Sequence, residues 1–190
     1  MKKRGVFNLP VGANRMLEGG PITNRDDLSA YLRLRFQMYC KELHSLDAIN
    51  YPNGQESDWY DQYAVSFVIK DQGEVIGGIR LVSDTPKGFL MEEGFSLSAI
   101  NRDKTVEYSR GIIQHGYLTR GTFLFLISLA EDWQLSSGFL TGICAAGSSQ
   151  IAPLMRRVGW RVIGEKKEYH HITTVPMMKV LQLHVDLMKV

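Results

Sequence analysis

Val106-Glu107-Tyr108-Ser109-Arg110-Gly111-Ile112-Ile113 reads as a strand that carries two opposite charges among apolar neighbours. In a regular strand Glu107 and Arg110 point to opposite faces. A bulge between them aims both at one site. They close a series of charged residues in apolar or strand-forming surroundings: Arg35, then Glu56, Asp58 and Asp61, then Arg80. Charge in elements that face a core is costly unless it is paired or used. The series points to one shared ionic site.

Working outward, residues 1–23 hold Gly5, Pro10, Gly12, Gly19, Gly20 and Pro21 and read as an irregular lead-in. A helix is expected to start at Asn24, a good N-cap, with Asp26 and Asp27 in its first turn. Leu28, Leu32, Phe36, Tyr39 and Leu43 recur at helical spacing. Arg35 falls inside that stripe and Arg33 outside it, so Arg35 needs a buried partner. The loop from Asn50 to Asp61 supplies the acids.

Tyr63 to Ile69 and Val75 to Val82 form a hairpin about Asp71-Gln72-Gly73. In its second strand Ile76, Gly78, Arg80 and Val82 share a face, and Gly77-Gly78 admits a close approach to the backbone. Residues 83–103 read as loop, with a short helix around Gly94 to Ile100. An apolar helix starts at Thr119 or Thr122 and runs through Leu135. Phe139 to Ala146 is a strand. Ser148 or Ser149 caps a helix that Gly159 stops. Arg161 to Gly164 and Glu168 to Thr173 are short strands, and Met177 to Met188 a final amphipathic helix. This order predicts one α/β (α+β) domain over 1–190, a mixed sheet with helices on both faces.

The bulk numbers narrow the class. A chain of 190 residues with 44% apolar and 22% charged residues suits one ordinary globular domain. A formal charge of +2 demands no nucleic-acid partner. Cys40 and Cys144 are too few for a disulfide framework or zinc site and read as buried thiols, which fits a reducing compartment. Lys2-Lys3-Arg4 is followed by no apolar core segment, and Phe123 to Ala130 is too short to span a bilayer. Cytoplasm is the expectation, with no integral membrane segment.

Four ordered motifs carry a resemblance. Arg35-x-x-x-Tyr39, Glu56-x-Asp58-x-x-Asp61, Gly78-Ile79-Arg80-Leu81 and Glu107-x-Ser109-Arg110 together resemble the signature of the autoinducer (acyl-homoserine lactone) synthases. That family has the GNAT acyltransferase fold, as do the related long-chain N-acyl amino acid synthases. The similarity covers residues 25–113 as motifs. It implies an ionic cluster of Arg35, Asp58, Asp61, Arg80 and Arg110, an acidic residue beside the acyl-transfer centre at Glu107, and an aromatic near the cofactor arm at Phe95.

The chain departs from the lactone synthases where Lys41 to Leu46 lacks tryptophan and where Val82-Ser83-Asp84-Thr85 replaces Pro-Thr. Met38 to Leu43 is more similar to the amino acid synthases. Gln114 to Gly121 stands where GNAT enzymes place a pyrophosphate cradle, which favours the acyl-phosphopantetheine of an acyl carrier protein as donor substrate, with no bound cofactor.

The implied reaction moves a long fatty acyl chain from a thioester to the α-amino group of an amino acid. Glu107 takes the proton if its surroundings raise its pKa. Arg80 binds the acceptor carboxylate bidentately. Arg156, Arg157, Arg161, Lys166 and Lys167 form a basic run, each a solvated face by itself, together a dock for the acidic carrier. Two alternatives stand beside this: a lactone synthase using S-adenosylmethionine, and a non-catalytic acyl-binding or sensor protein. Ser109 reads as a strand hydroxyl satisfied by backbone. His170 and His171, on one strand, make a poor metal pair, and no metal is expected. Phe123, Phe125, Leu126, Leu129, Trp133, Met155, Met177 and Met178 read as core, or as the lining of an acyl tunnel.

Overall fold

The computed structural model describes residues 5–8, 16–97, 100–169 and 171–181. Among them nine strands make one sheet: β1 (Gly5–Asn8), β2 (Met16–Pro21), β3 (Ala64–Asp71), β4 (Glu74–Ser83), β5 (Thr105–Ile113), β6 (Thr141–Gly147), β7 (Arg161–Val162), β8 (Lys167–Tyr169) and β9 (Ile172–Val180). Their order is β1-β2-β3-β4-β5-β6-β9-β7, with β8 also on β9. Only β5 and β6 pair in parallel. A parallel pair needs a crossover. Helix α2 (Arg120–Ser136) is that crossover; α1 (Arg25–Phe36) lies between β2 and β3 and α3 (Ile151–Arg157) follows β6.

Alternation along the strands sets two faces. Phe67, Ile69, Ile79, Leu81, Val106 and Tyr108 meet Phe123, Phe125, Leu126 and Leu129 of α2, and Met155 of α3 closes the same cluster. Val68 and Ile112 turn the other way, onto Tyr31 and Met38 from the α1 segment. Ile143 takes Phe89, Met91 and Phe95 on the face away from α2. Helices on both sides of a mixed sheet, as expected, give the α/β fold. Gly78 permits α1 to sit close: a Cβ there would lie 2.7 Å from the Tyr31 ring and 2.7 Å from the Phe67 carbonyl.

Several elements differ from expectation. The lead-in is irregular only in part, since Met16–Pro21 pairs with β3 and Gly5–Asn8 with β2. Gly19 hid that strand; its missing Cβ makes room for Leu129 and Phe125 of α2. At the other end Ile172–Val180 is a strand and not the start of a helix, paired with β6 from Thr174 to Val180. The remainder of that expected helix, residues 182–190, lies outside the described residues. Glu168 to Thr173 is a hairpin corner rather than one strand, because Tyr169 pairs with Ile172. His171 therefore sits in a turn, and His170 is outside the described residues. In the 83–103 connection the structure has 3₁₀ turns at Leu90–Glu93 and Arg102–Lys104; of the helix expected around Gly94 to Ile100, residues 94–97 and 100 are not helical and 98–99 lie outside the described residues. The Tyr169 ring covers Gly94.

Asn24 caps α1 as expected, accepting from the Asp27 amide at 2.8 Å. Its buried residues are Tyr31 and Arg35, with Met38 next in line, whereas Leu28 and Leu43 are 42% and 48% exposed. The helix then widens into a π-helical segment, Gln37–Glu42, that buries Met38 and Cys40. Thr119 caps α2 as expected. At α3 Gln150 takes the cap position without a side-chain bond, in place of Ser148 or Ser149, and Gly159 (φ +92°) ends it. Both cysteines are buried and free. Among the described residues no helix is long and apolar enough to cross a membrane.

Candidate functional site

The charged series forms a closed ring of alternating sign on the α1 face. Arg35 donates to Glu56 (2.5 Å) and, through two nitrogens, to Asp61 (2.7 and 3.1 Å). Arg80 Nη1 donates to Asp61 (2.9 Å) and Asp58 (2.6 Å). Arg110 Nη2 donates to Asp58 (2.8 Å), and its Nε returns to Glu56 (3.2 and 3.3 Å). Arg35, Glu56 and Arg80 have no exposed surface. Burial opposes the charge on Arg35, but Tyr31, Glu56 and Asp61 outweigh it and raise its pKa. Burial likewise works to raise the Asp61 pKa, and Arg35 and Arg80 overcome it to hold the group near 2.

Local structure places each member. Glu56 is tethered by its amide to the Leu32 carbonyl of α1 (3.1 Å). Asp58 and Asp61 form the capping box of the 3₁₀ turn Trp59–Tyr63, so their carboxylates order the loop as well as the ring. On β4 and β5 the pairing is regular from Ser83↔Val106 to Arg80↔Ser109, then slips before Gly78↔Ile112. The expected bulge is therefore present and lies at Arg110, whose φ is +50°. Two tyrosines hold it: Tyr31 donates to the Arg110 carbonyl (2.7 Å) and Tyr39 to that of Gly111 (3.5 Å).

Two expectations change here. Ser109 is not satisfied by backbone; its hydroxyl accepts from Arg80 Nε at 3.0 Å. With Nε and Nη1 engaged and the side chain wholly buried, Arg80 has only Nη2 without a hydrogen-bond partner among the described residues. A bidentate grip on a ligand carboxylate is not open to it in this arrangement.

Glu107 stands apart from the ring, on the same face of β5 as Ser109. It is 2% exposed. Its carboxylate lies beneath the turn Leu90–Glu93 and accepts from the Met91 amide (3.1 and 3.3 Å). Burial pushes its pKa up to about 7, against the Met91 amide and the Arg80 charge. Such a group takes or gives a proton at neutral pH. The parallel pairing of β5 with β6 stops at Glu107↔Ile143, so the two strands part from that point. A cleft therefore opens with Glu107 at its apex.

One wall of this cleft is the 90–95 segment. Phe95 is buried there with Phe89, Met91 and Ile143. Tyr169 packs on Phe95 (centroids 6.3 Å apart) and donates to the Leu90 carbonyl (3.4 Å) and to Glu93 (3.2 Å). Of the basic run, Arg156 and Arg157 end α3, Arg161 is on β7, and all five residues are exposed. Lys167 reaches the cleft wall, donating to the Gly94 carbonyl (3.3 Å) above the Phe95 ring. Tyr31 and Tyr169 were not foreseen. Tyr31 was legible, because Tyr31, Arg35 and Tyr39 recur every four residues; Tyr169 comes from a distant hairpin. Among the described residues no three His, Cys, Asp or Glu side chains are grouped to hold a metal.

Comparison with known proteins places the fold. Residues 34–128 match the acetyltransferase (GNAT) domain. No curated protein matches the chain in sequence. The structure superimposes on FeeM, an N-acyl amino acid synthase from uncultured soil microbes, with a TM-score of 0.73 at 12% identity, over 88% of this chain and 91% of that one. It superimposes on the CoA-dependent acyl-homoserine lactone synthase BjaI with a TM-score of 0.72 at 19% identity, over 89% and 84%. For the AHL synthase LasI the values are 0.69 and 19%, over 88% and 90%.

Proposed function

This chain belongs to the GNAT acetyltransferase family, and from that premise we propose that it is an N-acyltransferase that moves a long acyl chain from a thioester to the α-amino group of an amino acid. The observation that carries the reading is the buried carboxyl of Glu107, with a pKa near 7, at the apex where β5 and β6 part.

In this reading the acyl-phosphopantetheine arm lies in the cleft, with its thioester carbon at the apex. The amine nitrogen attacks that carbon. The N–C bond forms, the C–S bond breaks, and the thiolate leaves to be protonated as free thiol. Glu107 removes the proton that the amine loses, directly or through water. Backbone N–H groups on the unpaired strand edges beyond Glu107 serve the developing oxyanion. The ionic ring holds the Arg110 bulge and so keeps those edges apart. Phe95 and Tyr169 wall the donor arm. An acyl carrier protein is the donor that the exposed basic run suits.

A lactone product from S-adenosylmethionine is the second reading, favoured by the similarity in fold to BjaI and LasI. Mass spectrometry of solvent extracts from a bacterial host expressing the wild type or Glu107→Gln tests both. The expected result is an acyl amino acid ion with the wild type only. An acyl-lactone ion instead favours the second reading. Equal product from wild type and variant removes Glu107 from the chemistry.

A further inference from the structure

Glu107 is covered by a segment that its own strand does not supply. Residues 84–93 leave the end of β4 and bring the Met91 amide onto the carboxylate (3.1 and 3.3 Å). Leu90 is buried there with Tyr60 and Val82, and Met91 with Phe89, Phe95 and Ile143. Whatever holds this strap down therefore sets how dry Glu107 is.

One side chain ties the strap at two points to the foot of β5. Arg102 belongs to the 3₁₀ turn Arg102–Lys104, which runs straight into Thr105, the first residue of β5. Its Nη1 donates to Asp84 (2.8 Å), where the strap begins, and its Nη2 donates to Glu92. The Glu92 carboxylate also accepts from the Phe89 amide (2.9 Å) and so closes the turn that carries Met91. The guanidinium covers the Phe89 ring at 5.4 Å. The fit is close: Gly88 has φ +79°, and a Cβ there would stand 2.5 Å from the Glu92 carboxylate and 3.6 Å from Arg102 Nη1. Contacts thus run from Arg102 to Glu92, to the turn of Phe89 and Met91, and from Met91 to Glu107.

The clamp is partly open to solvent, with 38% of the Arg102 side chain and 24% of the Glu92 side chain exposed, so it adds little to global stability. It is placed to resist a local lift of the strap, which takes less energy than unfolding.

We propose that Arg102 is a positioning residue for the reaction: it clamps the 84–93 strap over Glu107 and through the strap keeps the base dry and in place. The inference rests on Glu107 as the base of the acyl transfer proposed above.

Lifting the strap has two opposed effects. Loss of the Met91 amide disfavours the carboxylate, and entry of water favours it. Burial is the larger influence on Glu107, so a loosened strap lowers its pKa. The other groups that face Glu107 remain: Arg80 on β4, Arg110 on β5, Tyr60 beside Leu90, Cys144 on β6 and Tyr169 on β8. Loss of the Arg102 charge alone acts the other way, because a cation favours a carboxylate. The sign of the change separates a clamp from a remote charge.

The test follows Glu107 by carbon-13 NMR of protein labelled at the glutamate carboxyl carbons, its signal assigned by its absence from Glu107→Gln. The wild type is expected to titrate near 7. Arg102→Gln is expected about one pH unit lower, and Arg102→Lys between the two, since lysine keeps the charge but has no fork to hold two carboxylates. The Met91 amide is expected to exchange with deuterated water about tenfold faster in Arg102→Gln, with the urea midpoint close to that of the wild type. A Glu107 midpoint that is unchanged or raised, or Met91 exchange that is unchanged, overturns the clamp. Acyl transfer on the same proteins separates the two ideas. A pH–rate limb that moves down with the NMR midpoint supports both. A lowered midpoint with no product from the wild type leaves the clamp and removes the reaction. Product with an unmoved midpoint leaves the reaction and removes the clamp.

Discussion

Glu107 holds its proton more tightly in the folded protein than in the unfolded chain, because burial disfavours the carboxylate more than the Met91 amide and Arg80 favour it. The sign of the pH effect follows. Its pKa of about 7 lies above the unfolded value, so the stabilising contribution is complete below the ordinary carboxylate range and is lost as pH rises through 7. Glu107→Gln keeps an acceptor for the Met91 amide but cannot ionise. Urea denaturation is expected to show the two proteins close at pH 5, with the variant gaining on the wild type by pH 8 by on the order of 3 kcal/mol. A gap that does not change with pH contradicts the buried proton. The sequence disclosed Glu107 because an acid in an apolar strand is anomalous. It did not disclose the pKa, which depends on the turn Leu90–Glu93 folding over it.

At the scale of elements, the ring joins α1, the 56–61 loop, β4 and β5 through three arginines and three carboxylates. Glu56 binds two of the arginines and is wholly buried. Glu56→Gln leaves Arg35 and Arg110 facing each other with a charge uncompensated, and breaking such a buried pair costs about 3–5 kcal/mol. Arg33→Ala, on the exposed side of the same helix, is expected to fall within about 0.5 kcal/mol of the wild type. Equilibrium urea unfolding of both variants checks the contrast, and equal small losses would show that the ring adds little. Helical phase separated those two arginines from sequence alone. The apolar stripe around Arg35 was misjudged, since the buried line is Tyr31, Arg35 and Met38 and two of the leucines are exposed. At β9, pairing with β6 prevails over the helical appearance of a methionine-rich segment.

Across the whole molecule, the basic residues gather on α3, β7 and the start of β8, and Lys167 connects that surface to the wall of the cleft. Exposed charge acts mainly on encounter with a charged partner. Arg156→Glu/Arg157→Glu is therefore expected to raise KM for a carrier-bound donor about tenfold, with kcat and the activity on a coenzyme A donor little changed. Unaltered KM for the carrier-bound donor removes the docking role. The run of elements from α1 through α3, the hairpin, both helix caps that matter for α1 and α2, and the membership of the ionic cluster were legible in the sequence, because periodicity, capping chemistry and misplaced charge are local signals; the strands β1, β2 and β9 were not. The position of the bulge, the parting of β5 from β6, the engagement of Arg80 and the meeting of residues 40–48 with His171 were decided only by the tertiary structure. Each depends on which distant backbone or side chain supplies a partner, and the closing of hydrogen bonds across the sheet settles that.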